Sequence, residues 1–125
     1  MPPLRGLLID HGGVLTDGAE MVELLRRARA AGRRTAVVSD AHAVPDEIAG
    51  LADLLVLGPA LGVRKPDPEV FRRTAARLGL GIDECVVVDD LPVNVRGARE
   101  AGAVVVRHVD PGVTVAEVEI LLDLP

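Results

Sequence analysis

Three short apolar runs in this 125-residue chain lead directly into side chains that could do chemistry. They are residues 7–9 before Asp10, residues 36–38 before Ser39, and residues 86–88 before Asp89 and Asp90. Parallel sheets in open α/β folds bind their ligands at the carboxyl ends of the strands. With Lys65, these residues would bring a hydroxyl, an ammonium and three carboxylates to one edge of a sheet, which is the pattern of an active site.

Lys65 is the only lysine among the 14 basic residues, and all the others are arginine. Where only positive charge is needed, this sequence uses arginine. Lysine differs from arginine in offering a compact, rotatable point charge instead of a planar fork of donors. The choice of lysine at this position therefore predicts a specific role for its ammonium group.

The composition favours a single domain over residues 1–125 with an aliphatic core, because the chain holds one Phe and no Trp or Tyr. The net charge of −5, without a basic stripe, argues against nucleic acid as a partner. The arginines between residues 26 and 34 are expected to form a solvated helix face, and Cys85 to be buried and inert. No apolar stretch approaches ~20 residues and no signal-peptide pattern is present, so we expect no membrane contact and a cytoplasmic location.

Strand and helix patterns alternate along the chain. The predicted strands are residues 4–9, 35–38, 54–57, 85–88 and 103–106. The predicted helices are residues 20–31, 45–51, 68–78, 92–101 and 114–122, with Asp67 capping the third and a capping box from Thr114 to Glu117 opening the last. This alternation predicts an α/β fold, a doubly wound parallel sheet of about five strands with helices on both faces.

Four motifs, in this order, are similar to those of the haloacid dehalogenase-like hydrolase superfamily. They are Asp10-His-Gly-Gly-Val-Leu15, Val38-Ser39, Lys65-Pro-Asp-Pro-Glu-Val-Phe71 and Val88-Asp89-Asp90-Leu-Pro-Val-Asn94. The stretch from Asn94 to Gly102 also resembles the helix that follows the fourth motif in that superfamily. The resemblance covers nearly the whole chain and implies a Rossmann-like hydrolase core.

The resemblance implies a Mg²⁺-dependent phosphatase that acts on a phosphorylated small molecule or macromolecule. Asp10 would attack phosphorus and form an aspartyl-phosphate, which splits one difficult step into two. Ser39, Lys65 and the backbone around Gly13 would bind the phosphoryl group and neutralise its charge. The ligands implied for Mg²⁺ are the Asp10 carboxylate, the backbone carbonyl of Gly12, and the carboxylates of Asp89 and Asp90.

Gly12 departs from the superfamily pattern, which places a second Asp there as general acid and base. General acid–base catalysis contributes roughly 10²–10⁴-fold to a rate, so weak phosphatase activity is expected. His11 and His42 are candidates for a substitute acid. Two alternatives stay open. One is a dehalogenase, whose halide leaves without a proton, or an epoxide-hydrolase-related hydrolase, and the other is a phosphate- and metal-binding interaction module with little catalysis.

The intervals between the motifs are too short for a cap domain. Residues 11–38 separate the first motif from the second, and residues 40–64 separate the second from the third. Predicted helices and strands take up most of both intervals, so we expect a site open to solvent. By resemblance, capless members act on large substrates or use a neighbouring subunit as a lid, and a homodimer is one expectation.

Overall fold

The computed structural model describes residues 3–125, and its centre is one parallel sheet. The strands are β1 (Gly6–Ile9), β2 (Arg34–Ser39), β3 (Leu54–Leu57), β4 (Cys85–Asp89) and β5 (Val104–Arg107). Their spatial order is β3-β2-β1-β4-β5, so the chain moves outward from β1 to β3 and then returns to the other side of β1. The predicted doubly wound parallel sheet is confirmed, and its direction switches between β1 and β4.

Helices cover both faces of this sheet. They are α1 (Ala19–Ala30), α2 (Asp46–Ala49), α3 (Gly58–Leu61), α4 (Pro68–Arg77), α5 (Pro92–Ala101) and α6 (Pro111–Leu121), with short 3₁₀ helices at Leu15–Asp17 and Ile82–Glu84. Apolar residues of α1 and α6 form one buried cluster against the sheet, and those of α4 and α5 form a second. Within residues 3–125 no helix is long and apolar enough to cross a membrane.

The register of the central strands sets the positions of the candidate site residues. Ile9 of β1 is paired with Val37 of β2 on one side and with Val88 of β4 on the other. The next residue of each strand is therefore level with its neighbours, which places Asp10 beside Asp89 at the carboxyl edge. β1 and β4 are buried along their whole length, as expected for central strands of a parallel sheet.

The start of α6 differs from the prediction. The helix begins at Pro111, and the Asp110 side chain caps it by accepting a hydrogen bond from the backbone N–H of Val113 at 3.1 Å. The predicted capping box at Thr114 is wrong, because an Asp followed by Pro already starts the helix one turn earlier. Thr114 is instead a buried helical residue. The short helix α3 was also not predicted, since Gly58 and Pro59 suggested a turn after β3.

The cluster of arginines at the end of α1 is not a simple solvated face. Arg33 donates from Nε to the carbonyl oxygen of Leu122 at 2.8 Å, and Arg34 donates to that of Leu78 at 2.6 Å. Arg29 donates to the carbonyl oxygen of Gly50 at 3.1 Å. Gly50, Leu78 and Leu122 are the C-terminal caps of α2, α4 and α6. These arginines therefore bind the helix ends that gather at the amino edge of the sheet.

Cys85 at the start of β4 is buried and makes no disulfide. Burial raises the pKa of its thiol to about 12, with smaller contributions from the nearby Glu84 and Asp83 carboxylates. A thiol with such a pKa stays protonated near neutral pH and is a poor nucleophile. The prediction of a buried, inert cysteine is confirmed.

Candidate active site

Lys65 is the centre of the candidate site. Its ammonium nitrogen lies 2.9 Å from Oδ1 of Asp10 and 2.8 Å from Oδ2 of Asp89, and only 3% of its side chain is exposed. Burial by itself would lower the pKa of Lys65, but the Asp10 and Asp89 carboxylates outweigh burial and raise it. Lys65 is therefore a charged, buried bridge between the ends of β1 and β4.

The loop that carries Lys65 is held by two contacts. The backbone N–H of Lys65 donates to Oδ1 of Asp40 at 3.1 Å, and Asp40 directly follows β2. On the other side, α5 packs closely against the next residue of the loop. A Cβ atom added to Gly97 would overlap the carbonyl oxygen of Pro66 and lie 3.3 Å from its Cα. The depth of Lys65 in the site thus depends on a carboxylate after β2 and on the missing side chain of Gly97.

Asp89 has hydrogen-bond partners on both carboxylate oxygens. The side-chain amide of Asn94 lies 3.2 Å from each of them, and the backbone N–H of Leu91 donates to Oδ1 at 3.0 Å. With the ammonium of Lys65 on Oδ2, this carboxylate is fully surrounded by donors. A carboxylate held in this way is fixed in position and orients the lysine.

Asp10 is bound on one side only. Oδ1 accepts hydrogen bonds from the Lys65 ammonium and from the backbone N–H of His11 at 2.9 Å, and within residues 3–125 no donor contacts Oδ2. Burial raises the pKa of Asp10 to about 6 despite the opposing effect of Lys65, and the charges of Asp89 and Asp90 add to the rise. One oxygen is therefore fixed, and the other is available to an electrophile or a cation.

Three acidic residues lie together at this edge of the sheet. Asp10, Asp89 and Asp90 each offer a carboxylate oxygen, and these oxygens lie within 4.8 Å of one another. The Asp90 carboxylate lies against the backbone of Gly13, where a Cβ atom would overlap it. Hard oxygen donors at this spacing are the ligand type that Mg²⁺ prefers, so the residues fit that ion. Because Asp89 is already saturated by donors, Asp10 and Asp90 are the better direct ligands.

Ser39 ends β2 and is buried. Its hydroxyl oxygen accepts a hydrogen bond from the backbone N–H of Ala41 at 3.1 Å, so it does stabilise the turn that follows. A hydroxyl that accepts one hydrogen bond can still donate its own proton. Ser39 also lines the cleft beside Asp10, and a hydrogen bond to a bound anion is compatible with its position.

Gly12 leaves open space where the superfamily pattern has a carboxylate. Apart from Gly12 itself and its two chain neighbours, no heavy atom of residues 3–125 lies within 4 Å of the position that its Cβ would take. Gly12 is also not among the glycines with a positive φ, whereas the neighbouring Gly13 has φ of 79°. A side chain is therefore sterically possible at position 12, and its absence is not required by the backbone.

The cleft over these residues is small and open. Its volume is about 260 Å³, and it is lined by Asp10, His11, Gly12, Ser39, Asp40, Ala41, Lys65, Leu91 and Asn94. Leu91 is 51% exposed at the rim. The segments between the motifs form only the 3₁₀ helix and α1, and then α2, β3 and α3. Within residues 3–125 nothing is inserted there that could close over the cleft, so the expected capless core is confirmed.

The three histidines have different surroundings. His11 is half-buried and lines the cleft, while His42 is exposed and is not part of its lining. His108, for which the sequence suggested no role, is buried. Its Nε2 lies 2.7 Å from Oδ2 of Asp17, and its Nδ1 lies 2.7 Å from the Thr114 hydroxyl. His108 thus joins the segment after β1 to the start of α6 beside the site.

Three further residues support the site, and sequence reasoning gave them no role. They are Asn94, which holds Asp89, Asp40, which holds the backbone at Lys65, and Thr16, whose hydroxyl accepts the N–H of Gly13 at 2.9 Å. For Asn94, the one signal in the sequence was a polar residue between two valines at the third position of a predicted helix. The contacts made by Asp40 and Thr16 depend on the conformation of the folded loops, which the sequence pattern does not show.

Comparison with known proteins places this fold and site in a family. The model of the haloacid dehalogenase-like hydrolases, a group of hydrolases, matches residues 4–102. The matched region includes all four motifs and extends from β1 through α5. The chain belongs to this family, and the resemblance noted in the sequence is confirmed.

Individual relatives include named phosphatases. Phosphoserine phosphatase of Thermus thermophilus is 36% identical over 88 residues, which is 67% of this chain and 35% of that protein. Glyceraldehyde 3-phosphate phosphatase of Methanopyrus kandleri is 44% identical over 54 residues, 42% of this chain and 23% of that protein. The chain therefore spans about a third or less of these relatives. A crystal structure of an uncharacterized protein from Corynebacterium glutamicum covers 98% of this chain and 97% of its own, with a TM-score of 0.89 and 34% identity.

Proposed function

We propose that this chain is a Mg²⁺-dependent phosphatase in which Asp10 is the nucleophile. The observation that carries the proposal is the geometry of Lys65, whose ammonium lies 2.9 Å from Asp10 and 2.8 Å from Asp89. A fixed positive charge beside a carboxylate with one free oxygen can stabilise negative charge that develops on an attacked phosphoryl group. The relatives named phosphatases support the same class of substrate.

The residues have distinct roles in this proposal. Oδ2 of Asp10 attacks phosphorus, because Oδ1 is occupied by Lys65 and by the backbone N–H of His11. Ser39 donates a hydrogen bond to a phosphoryl oxygen, whereas the N–H of Gly13 is already donated to the Thr16 hydroxyl at 2.9 Å and is given no role in binding phosphate. Asp89 and Asn94 act at a distance from the substrate, since they fix the lysine. Each role uses a side chain that the folded chain already orients, so little reorganisation is needed on binding.

The metal would be held at the acidic cluster. Asp10 and Asp90 supply carboxylate oxygens, the backbone carbonyl of Gly12 supplies a third ligand, and Asp89 contributes charge from the adjacent position. A bound Mg²⁺ would offset the repulsion between these carboxylates and the phosphate. The open cleft suits a phosphate group on a macromolecule, or on a small molecule covered by a second copy of the chain.

The lack of an acid at Gly12 determines which leaving groups this site can release. An alkoxide must be protonated as it leaves, and Gly12 has no acid to do so. A phenolate or carboxylate is a more stable anion and needs less assistance. We therefore expect activity on aryl and acyl phosphates to exceed activity on alkyl phosphates. The same feature favours the second candidate, a phosphate- and metal-binding module with little turnover.

The test is a substrate panel that measures phosphate release and chloride release with and without Mg²⁺. We expect Mg²⁺-dependent phosphate release from an aryl phosphate, no chloride from a short 2-chloro acid, and loss of activity in Asp10→Asn. Gly12→Asp has room for its side chain, and its kcat/KM, which reports formation of the aspartyl-phosphate, should gain about ten- to a hundredfold on alkyl phosphates and less on aryl phosphates. If Gly12→Asp folds and binds Mg²⁺ but gains on no ester, the phosphatase proposal is wrong and the binding module replaces it.

A further inference from the structure

The two halves of the proposed reaction place different demands on the cleft. Forming the aspartyl-phosphate needs a nucleophile, charge neutralisation and a leaving group that can depart. Breaking it needs a water molecule activated by a base on the side of phosphorus away from Asp10. The first set of groups is present and oriented, since the Lys65 ammonium lies 2.9 Å from Asp10. The second set of groups depends on position 12, where Gly12 has no side chain and, apart from its chain neighbours, no described heavy atom lies within 4 Å of the Cβ position.

The other titratable side chains of the cleft are poorly placed to replace that base. Besides Asp10 and Lys65, the described lining includes His11 and Asp40. Oδ1 of Asp40 accepts the backbone N–H of Lys65 at 3.1 Å and lies 2.8 Å from where a Cβ of Gly58 would be, so this oxygen is engaged in holding the loop. His11 contacts Asp10 through its backbone N–H and follows it directly in a turn. Its ring is carried by a different backbone position from the one at which the superfamily pattern places the base.

We propose that this chain retains the phosphoryl group on Asp10, and that it takes it from acyl phosphates and other donors whose leaving group departs without a proton. The inference rests on the proposed function and extends it to a substrate class and to the lifetime of the intermediate. The protein then acts as a phosphoryl acceptor that stays modified, rather than as a phosphatase that turns over rapidly.

The acceptance step balances without an external acid. A lone pair on Oδ2 of Asp10 forms a bond to phosphorus, and the bond from phosphorus to the acyl oxygen breaks. The electron pair of that bond leaves with the carboxylate, which is stable as an anion near neutral pH because carboxylic acids have pKa values of about 4. No proton is transferred, so the absence of an acid at Gly12 costs nothing in this step. With an alkyl phosphate the same bond would release an alkoxide, and the missing acid would limit the rate.

The release step is the one that Gly12 slows. Water must lose a proton as it attacks the aspartyl-phosphate, and a positioned base contributes roughly 10²–10⁴-fold to such a step. The Lys65 nitrogen is bound between the two aspartates, 2.9 Å from Asp10 and 2.8 Å from Asp89, and is not placed to take that proton. We therefore expect the lifetime of the adduct to be about a hundredfold longer in this chain than in its Gly12→Asp variant.

The experiment follows the adduct directly. The protein is incubated with acetyl phosphate and Mg²⁺, the donor is removed, and intact mass is recorded over time after acid quenching. We expect one added phosphoryl group per chain, mapped to Asp10 by peptide analysis and absent from Asp10→Asn. Gly12→Ala, which adds a side chain without a carboxylate, should keep the long lifetime. Gly12→Asp should show a short-lived adduct and faster phosphate release.

Each outcome separates this inference from the proposed function. If wild type releases phosphate from acetyl phosphate as fast as Gly12→Asp and shows no adduct, retention is wrong although the phosphatase proposal stands. If His11→Gln or Asp40→Asn is needed before an adduct accumulates, that residue is the base and retention is again wrong. If neither an adduct nor phosphate release appears with any donor, the proposed function itself fails.

Discussion

The two edges of the sheet use charged residues in opposite ways. At the amino edge, Arg29 donates from Nε to Oδ1 of Asp53 at 3.0 Å and also binds a helix-end carbonyl. Oδ2 of Asp53 accepts hydrogen bonds from the backbone N–H and the hydroxyl of Thr35 at 2.8 and 3.0 Å. Arg29, Arg33 and Arg34 are thus each paired with carboxylate or carbonyl oxygens. The charges of the amino edge are used to hold the structure together.

At the carboxyl edge, three carboxylates lie close together and one ammonium contacts two of them. Lys65 contacts Asp10 and Asp89, whereas Asp90 lies over the backbone of Gly13 and Oδ2 of Asp10 receives no hydrogen bond within residues 3–125. This arrangement raises the pKa of Asp10 to about 6, with burial as the largest cause and the other two aspartates adding to it. A protein that needed only stability would not gather unbalanced carboxylates in this way. The charges of the amino edge hold the fold together, and the carboxylates of the carboxyl edge agree with the ligand site proposed above.

The largest effect should come from changing the one cation of the carboxyl edge. Lys65→Arg keeps the charge but places a larger planar group in a space where the lysine is only 3% exposed. We expect phosphatase activity to fall about a hundredfold or more, as when a charge-stabilising donor is removed. The measurement is kcat/KM for an aryl phosphate. Equal turnover by the arginine variant would show that any cation suffices there.

The structure also changes what we expect of stability in lysine variants. An exposed lysine at a sheet edge would cost little stability to replace, but Lys65 is buried. Lys65→Met has similar length and leaves Asp10 and Asp89 without their shared cation. The midpoint of urea unfolding should fall in both Lys65 variants, and more in Lys65→Met. Equal midpoints for Lys65→Met and wild type would mean that the bridge contributes nothing to folding.

The second effect is stabilisation by Mg²⁺ at the same edge. A metal that binds only the folded state adds about 2.7 kcal/mol to the free energy of unfolding at a hundred times its Kd. Millimolar Mg²⁺ should therefore raise the Tm of wild type, and the rise should grow with metal concentration. Asp90→Asn should show a much smaller rise, while Asp53→Asn at the amino edge serves as the control and should respond as wild type does. Identical shifts in wild type and Asp90→Asn would contradict the assignment.

The third prediction concerns pH in the metal-free protein. The pKa of Asp10 is about 6 in the folded chain against an ordinary value of 3.8. Between about pH 4 and pH 6 the folded state keeps a proton that the unfolded chain has released, so the free energy of unfolding should fall as the pH rises through this window. Urea unfolding at several pH values in EDTA measures this slope. Asp10→Asn should lack this contribution, and an identical slope in both proteins would refute the attribution.

The smallest effect should come from the amino edge. Arg34→Met keeps the apolar stem but removes the hydrogen bond to the carbonyl oxygen at the end of α4. We expect a loss of about 0.5–1 kcal/mol in the free energy of unfolding and no change in kcat/KM. Arg26→Met is the matched control, because Arg26 makes only an exposed ion pair with Glu23, and its loss should be smaller. A drop in activity in Arg34→Met would show that the two edges are coupled.

The parts of the site that depend on strand ends could be predicted from the sequence. Asp10, Ser39 and Asp89 each follow a run of apolar residues, and the parallel register makes such ends meet at one edge. Lys65 was identified by its type and by the motif around it. Its burial could not be predicted, because that depends on how closely α5 approaches the loop. Roles for the site residues, including Gly12, stay predictions until the variants are measured.

Contacts between distant segments were the part that the sequence did not predict. The hydroxyl of Thr114 suggested a capping box, but it contacts His108 instead, and His108 also reaches Asp17. The arginines at the end of α1 and just after it suggested a solvated face. Their pairing could not be predicted from that segment, because the carbonyl groups they bind belong to three other helices. A pattern in one segment shows which groups are available. Their partners are decided by the packing of whole elements.

Because α5 approaches Pro66 closely at Gly97, the reason for a glycine at this position lies outside its own helix. Alanine is the better helix former by about 1 kcal/mol, so a local optimisation of α5 would replace this glycine. A single added methyl group would press on the Pro66 backbone and act as a wedge against the residue before it, Lys65. Any redesign of this chain for stability should leave that gap unfilled. A chain with a stronger helix and a displaced lysine would be a well-folded protein without a working site.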